Sequence, residues 1–125
     1  MKADIAVIGL AVMGQNLILN MDEKGFQVIA YNRSPDKTKD FLATKALDTR
    51  IKGAYSLESL VDGLERPRKI LVMVKAGEPV DALIEQLTPL LAPGDVIIDG
   101  GNSNFTDTSR RVKELALKDI FFLVA

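Results

Sequence analysis

Short apolar runs rich in valine and isoleucine alternate along the chain with longer segments in which apolar residues recur at every third or fourth position. The runs are nearly apolar throughout, which is typical of strands that are buried on both faces of a parallel sheet. The predicted strands cover residues 4–9, 26–31, 51–54, 69–74, 95–99 and 120–124.

The segments of helical period predict five helices between these strands. Their predicted buried faces include Met13, Leu17 and Met21 in the first helix and Val112, Leu115 and Ala116 in the last. Ser34 before Pro35 predicts a capped helix start, and Ser56 predicts another. Pro89 should kink or end the fourth helix, because proline donates no backbone hydrogen bond.

Six strands that alternate with helices predict an α/β fold whose parallel sheet is covered on both faces. Short right-handed crossovers then favour the strand order 3-2-1-4-5-6. We therefore predict a Rossmann-type, doubly wound, mainly parallel six-stranded sheet. A length of 125 residues fits one such domain, and we assign it residues 1–125.

A glycine-containing segment, Gly9-Leu10-Ala11-Val12-Met13-Gly14, joins the first strand to the first helix. It is a variant of the G-x-G-x-x-G fingerprint in the position where that fingerprint binds a dinucleotide. Gly9 would allow the tight turn, Gly14 would let the helix pack closely, and the N–H groups at the helix start would bind a pyrophosphate. The alternative is a tight strand–helix turn without a ligand.

The end of the second strand bears on the choice of cofactor. An NAD site usually has Asp or Glu about 20 residues beyond the start of the fingerprint, where it binds the ribose 2′-hydroxyl. This chain has Asn32-Arg33-Ser34 there. An arginine, a hydroxyl and an amide would bind a 2′-phosphate, which a carboxylate would repel. The segment therefore predicts NADP, unless Arg33 is only a solvated side chain beside a helix cap.

Two further loops are predicted at the same edge of the sheet. Val74-Lys75-Ala76-Gly77 follows the fourth strand, across the crevice where the strand order reverses and where ligands bind in such folds. Lys75 is equally consistent with an ordinary surface lysine. Asp99-Gly100-Gly101-Asn102-Ser103 follows the fifth strand, where Asn102 either contacts a ligand or caps a helix.

Composition removes several other functions. A net charge of −1 leaves no basic surface for nucleic acid or an anionic membrane. The chain has no cysteine and no histidine, so disulfides, the usual zinc sites and Ser-His or Cys-His nucleophiles are excluded. No signal peptide and no run of about 18 apolar residues is present, so we expect a cytoplasmic protein.

Taken together, these segments resemble the N-terminal domain of decarboxylating 6-phosphogluconate dehydrogenase. The resemblance spans residues 3 to about 122 and is carried by GLAVMGQNL at 9–17, YNR at 31–33, VKAG at 74–77 and IIDGGNS at 97–103. The NADP contacts that it implies are Gly9, Leu10, Ala11, Val12, Met13, Gly14, Asn32, Arg33, Ser34, Val74, Lys75, Ala76 and Asn102. It also implies that Asn102 contacts the sugar-phosphate substrate.

Enzymes of this family oxidise 6-phosphogluconate with NADP and release CO₂ to give ribulose 5-phosphate, a step of the pentose phosphate pathway. In the family, the sixth strand continues into a glycine- and serine-rich substrate loop and then into a helical domain that carries the catalytic lysine and glutamate. Neither matches anything in this chain, where Val124-Ala125 departs from the family's continuation. The resemblance thus implies a cofactor-binding domain that is inactive alone. A free-standing NADP-binding or sensing module, or a domain that binds NAD, remains an alternative. Self-association through Phe121, Phe122 and Leu123 is also expected.

Overall fold

A computed structural model describes residues 2–101 and 105–124, with only the backbone of Phe105. The six strands are β1 (Ile5–Ile8), β2 (Val28–Tyr31), β3 (Lys52–Gly53), β4 (Lys69–Val72), β5 (Val96–Asp99) and β6 (Phe121–Val124). They form one sheet in the order β3-β2-β1-β4-β5-β6, and every pairing is parallel. The predicted Rossmann-type fold and its strand order are confirmed, and the sheet is wholly parallel.

The helices are α1 (Val12–Glu23), α2 (Pro35–Ala43), α3 (Leu57–Asp62), α4 (Glu78–Leu87) and α5 (Phe105–Ala116). Ser56 caps α3 as predicted, since its hydroxyl accepts a hydrogen bond from the N–H of Ser59. Pro89 lies in a 3-10 turn that follows α4, which confirms that the helix ends before it. None of the helices in the described ranges is long and apolar enough to span a bilayer.

The hydrophobic core lies on both faces of the sheet. Successive residues of β1 point to opposite faces of the sheet. Val7 therefore packs in one hydrophobic cluster with Ile18 and Phe41, whereas Ile8 packs in a second cluster with Leu60. The central strands are therefore apolar in nearly every position, as expected for a doubly covered parallel sheet. This arrangement leaves the carboxyl ends of the strands, and the loops that follow them, on one edge.

The predicted buried face of α1 is wrong at Met13, although Met21 packs against the core. Gly14 and Ile18 are the buried residues of this helix, whereas the Met13 side chain is 69% exposed. Leu17 and Met21 are only half-buried. Gly14 lies against the carbonyl oxygen of Gly9, and an apolar periodicity does not detect a buried glycine.

The predicted face of α5 is correct only at Leu115. Val112 and Ala116 are exposed, and Arg111 is buried in their place.

In β6, Phe122 is buried at 5% exposure, so it cannot belong to the exposed apolar surface that we expected there. Phe121 and Leu123 remain exposed because side chains alternate between the two faces of a strand.

A buried ion pair lies at the opposite edge of the sheet, where β4 and β5 begin. The Asp95 side chain is fully buried and lies 3.1 Å from the Arg68 guanidinium. Burial raises the pKa of Asp95, but hydrogen bonds from the Ala92 N–H, the Arg68 N–H and the Arg68 side chain outweigh it and leave the pKa below its ordinary value. The native state therefore favours the charged carboxylate.

Because the pKa of Asp95 is lower in the folded chain than in the unfolded one, its contribution to stability is present at neutral pH and is lost on acidification. We expect the free energy of unfolding to decrease as the pH is lowered below about 4. Asp95→Asn should cost roughly 3 kcal/mol at neutral pH and weaken this acid dependence. Urea titrations at several pH values measure both, with the exposed Glu85→Gln as control. An unchanged acid slope in Asp95→Asn would count against this origin.

Candidate functional site

The loop between β1 and α1 is built around two glycines. Gly9 has φ +108°, a conformation that side chains rarely adopt, and a Cβ there would overlap the carbonyl oxygen of Met73. A Cβ on Gly14 would overlap the carbonyl oxygen of Gly9, so α1 starts in direct contact with the turn. These contacts confirm the structural roles predicted for Gly9 and Gly14. Ala11 has φ −70° and ψ 174°, which alanine adopts without strain.

The peptide groups of Leu10 are held by two side chains from other parts of the fold. The Leu10 N–H donates to Oδ1 of Asn32 at 3.0 Å, and Nε2 of Gln15 donates to the Leu10 carbonyl at 2.8 Å. Since an N–H group can only donate, the orientation of the Asn32 amide is fixed with its oxygen toward the loop. Its NH₂ group, 3.4 Å from the Ser34 carbonyl, then faces away from Leu10.

We expect Asn32→Ala to lower the free energy of unfolding by about 1–3 kcal/mol, because the buried Leu10 N–H would lose its acceptor. Asn32→Asp keeps an oxygen in that position and should retain most of the stability. Urea unfolding of the two variants measures the difference. Equal losses in both variants would contradict a role for this hydrogen bond.

The first turn of α1 is suited to an anion. Ala11 is the N-cap residue and offers no side-chain cap, and the turn that follows contains no acidic residue. Each of the other four α-helices has at least one aspartate or glutamate in its first turn. The N–H groups and the dipole of α1 are thus left without a negative partner of their own. The exposed side chains of Val12 and Met13 flank this turn.

A pocket of about 290 Å³ opens beside this loop at the carboxyl edge of the sheet. It is lined by predicted cofactor-binding residues from the loops after β1, β2 and β4, and residues of α4 form one of its walls. Its lining residues are Ile8, Gly9, Tyr31, Asn32, Arg33, Val74, Pro79, Ala82, Leu83 and Gln86. None of the lining residues, all within the described part of the chain, is a carboxylate. The pocket therefore combines apolar walls with a cation at its rim.

The remaining predicted residues lie around the pocket or cannot be placed. Ser34 occupies the N-cap position of α2, but its side chain makes no capping hydrogen bond, contrary to the expected cap. Lys75 is exposed and Ala76 is half-buried in the loop after β4, and neither lines the pocket. Asn102, and Ser103 beside it, lie outside the described residues.

Sequence reasoning missed the contribution of α4 and the role of Gln15. Pro79, Leu83 and Gln86 follow one another at intervals of three to four residues, and this spacing places them on one face of α4. That spacing is visible in the sequence, but it is equally the pattern of a helix that packs on the core. For Gln15, nothing in the sequence indicates that its amide reaches back to the Leu10 carbonyl.

A glycine turn, an uncapped helix start and a pocket at the point where the strand order reverses define a dinucleotide-binding domain of the Rossmann class. The family model described as the NAD binding domain of 6-phosphogluconate dehydrogenase matches residues 4–125. The chain belongs to this family of NAD-binding domains.

Curated relatives agree with this assignment. The chain is 63% identical to 6-phosphogluconate dehydrogenase, decarboxylating, of Drosophila melanogaster and 62% identical to that of Haemophilus ducreyi, each over 98% of the chain. It spans 25% of the length of each relative. The similarity is therefore to one part of those longer proteins.

Solved structures show the same fold. A Plasmodium falciparum 6-phosphogluconate dehydrogenase, studied in apo form and in complex with its cofactor NADP⁺ and its substrate 6-phosphogluconate, is similar with a TM-score of 0.88 and 40% identity. The match covers 95% of this chain and 26% of that one. A Mycobacterium tuberculosis 3-hydroxyisobutyrate dehydrogenase matches with a TM-score of 0.81 and 20% identity, over 100% of this chain and 40% of the other, which supports the fold alone.

Proposed function

We propose that this chain is the NADP-binding domain of an enzyme that oxidises and decarboxylates 6-phosphogluconate to ribulose 5-phosphate. We choose NADP over NAD because of the arrangement of Asn32 and Arg33 at the end of β2. The Asn32 oxygen accepts the Leu10 N–H and its NH₂ group donates to the Ser34 carbonyl, which leaves one N–H of that group for a ligand. Arg33 adds an exposed positive charge at the pocket rim. This combination suits a phosphate better than a sugar hydroxyl.

The other contacts of the cofactor follow from the same edge of the sheet. We assign the pyrophosphate to the start of α1, through the backbone of residues 11–14, because the Leu10 N–H already donates to Asn32 whereas the helix start has no acidic partner. Ser34 would add its hydroxyl to the 2′-phosphate, because that hydroxyl is not used as a cap. We assign the adenine to the pocket wall formed by Pro79 and Leu83. Val74, Lys75, Ala76 and Asn102 are proposed for the nicotinamide side, with Asn102 also toward the substrate.

NADP supplies the hydride acceptor of the proposed reaction, and the residues of this chain bind and orient it. No residue of the chain matches the lysine and glutamate that act as base and acid in the family. We therefore expect residues 1–125 to bind NADP without turning over 6-phosphogluconate. A cytoplasmic location is proposed, since a sugar-phosphate dehydrogenase meets its substrate there.

Calorimetric titration of the purified chain with NADP and with NAD at one salt concentration tests the proposal. We expect NADP to bind at least about tenfold more tightly, which corresponds to roughly 1.4 kcal/mol from the extra phosphate. Equal affinities would refute the selectivity, and the absence of binding to either nucleotide would refute the function. Reduction of NADP by the purified chain with 6-phosphogluconate would refute the expected lack of turnover.

We also propose weak self-association through the exposed side chains of Phe121 and Leu123 on the edge strand β6. Sedimentation velocity at increasing concentration measures it. A Leu123→Lys variant that associates as strongly as the parent chain would contradict this interface.

A further inference from the structure

Arg111 is the largest fully buried side chain in the described part of the molecule, with 1% exposure. Its Nε donates to Oδ1 of Asp81 at 2.8 Å, and its Nη2 donates to the carbonyl oxygen of Gly77 at 3.2 Å. Its Nη1 lies 3.7 Å from Oδ2 of Asp99. A charged side chain is rarely buried to this extent unless it is paired, and these contacts provide the partners of Arg111.

The partners of Arg111 border the two segments that follow β4 and β5. Gly77 ends the first loop, and Asp81 lies in the first turn of the helix that continues it. Asp99 ends β5, and its Oδ1 accepts a hydrogen bond from the N–H of Gly101 at 2.8 Å. A side chain on Gly101 would overlap the carbonyl oxygen of Val74, so the two loops are in direct contact. One guanidinium group thus connects both loops.

The charges in the cluster reinforce this connection. The hydrogen bond from Arg111 is the main reason why the pKa of Asp81 is lowered, and it outweighs the opposing effect of burial, with Arg110 adding to the decrease. Asp81 therefore stays ionised well below neutral pH. Arg110 also contacts Asp81, with Nη2 at 3.1 Å from both carboxylate oxygens, but its own side chain is 43% exposed.

The position of the cluster matches the far half of a dinucleotide. If the adenosine lies at the end of β2 and the pyrophosphate at α1, the second nucleoside must extend toward β4 and β5, on the other side of β1. We propose that Arg111 is a positioning residue that fixes the loop after β4 and residues 99–101 at the end of β5 for the nicotinamide half of NADP. This inference rests on the proposed function and assigns Arg111 no contact with the cofactor.

The test compares two ligands on the same variants. NADP spans both halves of the site, whereas 2′,5′-ADP carries the 2′-phosphate and the adenosine without the nicotinamide half. In Arg111→Lys, which keeps the charge but loses the planar fork, we expect NADP affinity to fall about tenfold and 2′,5′-ADP affinity to stay within about twofold. Asp81→Asn should show the same pattern more weakly. It replaces Arg111→Lys as the test variant if Arg111→Lys does not fold.

Arg110→Ala is the matched control, because Arg110 contacts the same carboxylate and neither loop. It should leave the ratio of the two affinities unchanged. If the parent chain binds neither ligand, the proposed function itself fails. The role of Arg111 is overturned if the parent chain binds NADP no more tightly than 2′,5′-ADP. It is also overturned if the folded variants lose affinity for both ligands equally. In both cases the proposed adenosine site is retained. The same ratio change in Arg110→Ala would also overturn it.

Discussion

Replacement of Arg33 by glutamate is expected to lower the affinity of the chain for NADP by about a hundredfold or more, while NAD affinity changes only a few-fold. Loss of a charge-assisted hydrogen bond costs about 1.5–3 kcal/mol, and the new carboxylate adds repulsion against the 2′-phosphate. At about 1.4 kcal/mol for each factor of ten, the two effects together reach a hundredfold. NAD has a hydroxyl in this position, which a carboxylate can bind. Calorimetric titration with both nucleotides gives the two affinities.

The control for this variant is Lys24→Glu, which reverses the charge of an exposed residue just after α1. It should leave both affinities almost unchanged, because screening removes most of the effect of a distant surface charge. A loss of NADP affinity in Lys24→Glu comparable to that in Arg33→Glu would show that overall charge decides binding. Loss of NAD and NADP binding to the same extent in Arg33→Glu would show that Arg33 does not recognise the 2′-phosphate.

The second large effect is expected for Gly9→Ala, which should destabilise the chain by roughly 2–5 kcal/mol. Alanine at φ +108° costs about 1–2 kcal/mol, and overlap of its Cβ with the carbonyl oxygen of Met73 adds about 1–3 kcal/mol. Backbone atoms of two central strands meet here, so neither side can move aside easily. Urea unfolding followed by circular dichroism measures the loss.

Gly25→Ala separates the two contributions. Gly25 has a similar φ of +98°, but a Cβ there would meet no atom within 4 Å. Its substitution should therefore cost only about 1–2 kcal/mol, the conformational part of the effect. If Gly9→Ala were no more destabilising than Gly25→Ala, close packing between Gly9 and the end of β4 would not be a source of stability.

The fold was predictable because its signals are local. Each strand is a short apolar run, and each crossover contains one helix, so the alternation alone determines the class and restricts the strand order. The glycine turn was predictable for a similar reason, since Gly9 and Gly14 occupy fixed positions relative to β1. Pro89 and Ser56 marked a helix end and a helix start through their own backbone chemistry.

The parts that could not be predicted depend on contacts between residues far apart in the sequence. The charge of Arg111 predicts an exposed residue, and its partner Asp81 lies 30 positions away. Asn32 was predicted to bind a phosphate, but its oxygen is committed to the Leu10 N–H, 22 positions earlier. In α1 the buried face is made by Gly14 and Ile18, and a glycine carries no apolar signal.

The hydrogen bond between Asn32 and Leu10 limits how this domain could evolve. Position 32 needs an oxygen that accepts from the loop, and of the short planar side chains only asparagine and aspartate supply one. These two residues differ in the group that faces the ligand, an NH₂ in one and a second oxygen in the other. Exchange between these two residues would therefore keep the hydrogen bond to the loop while it changes the group that faces the ribose.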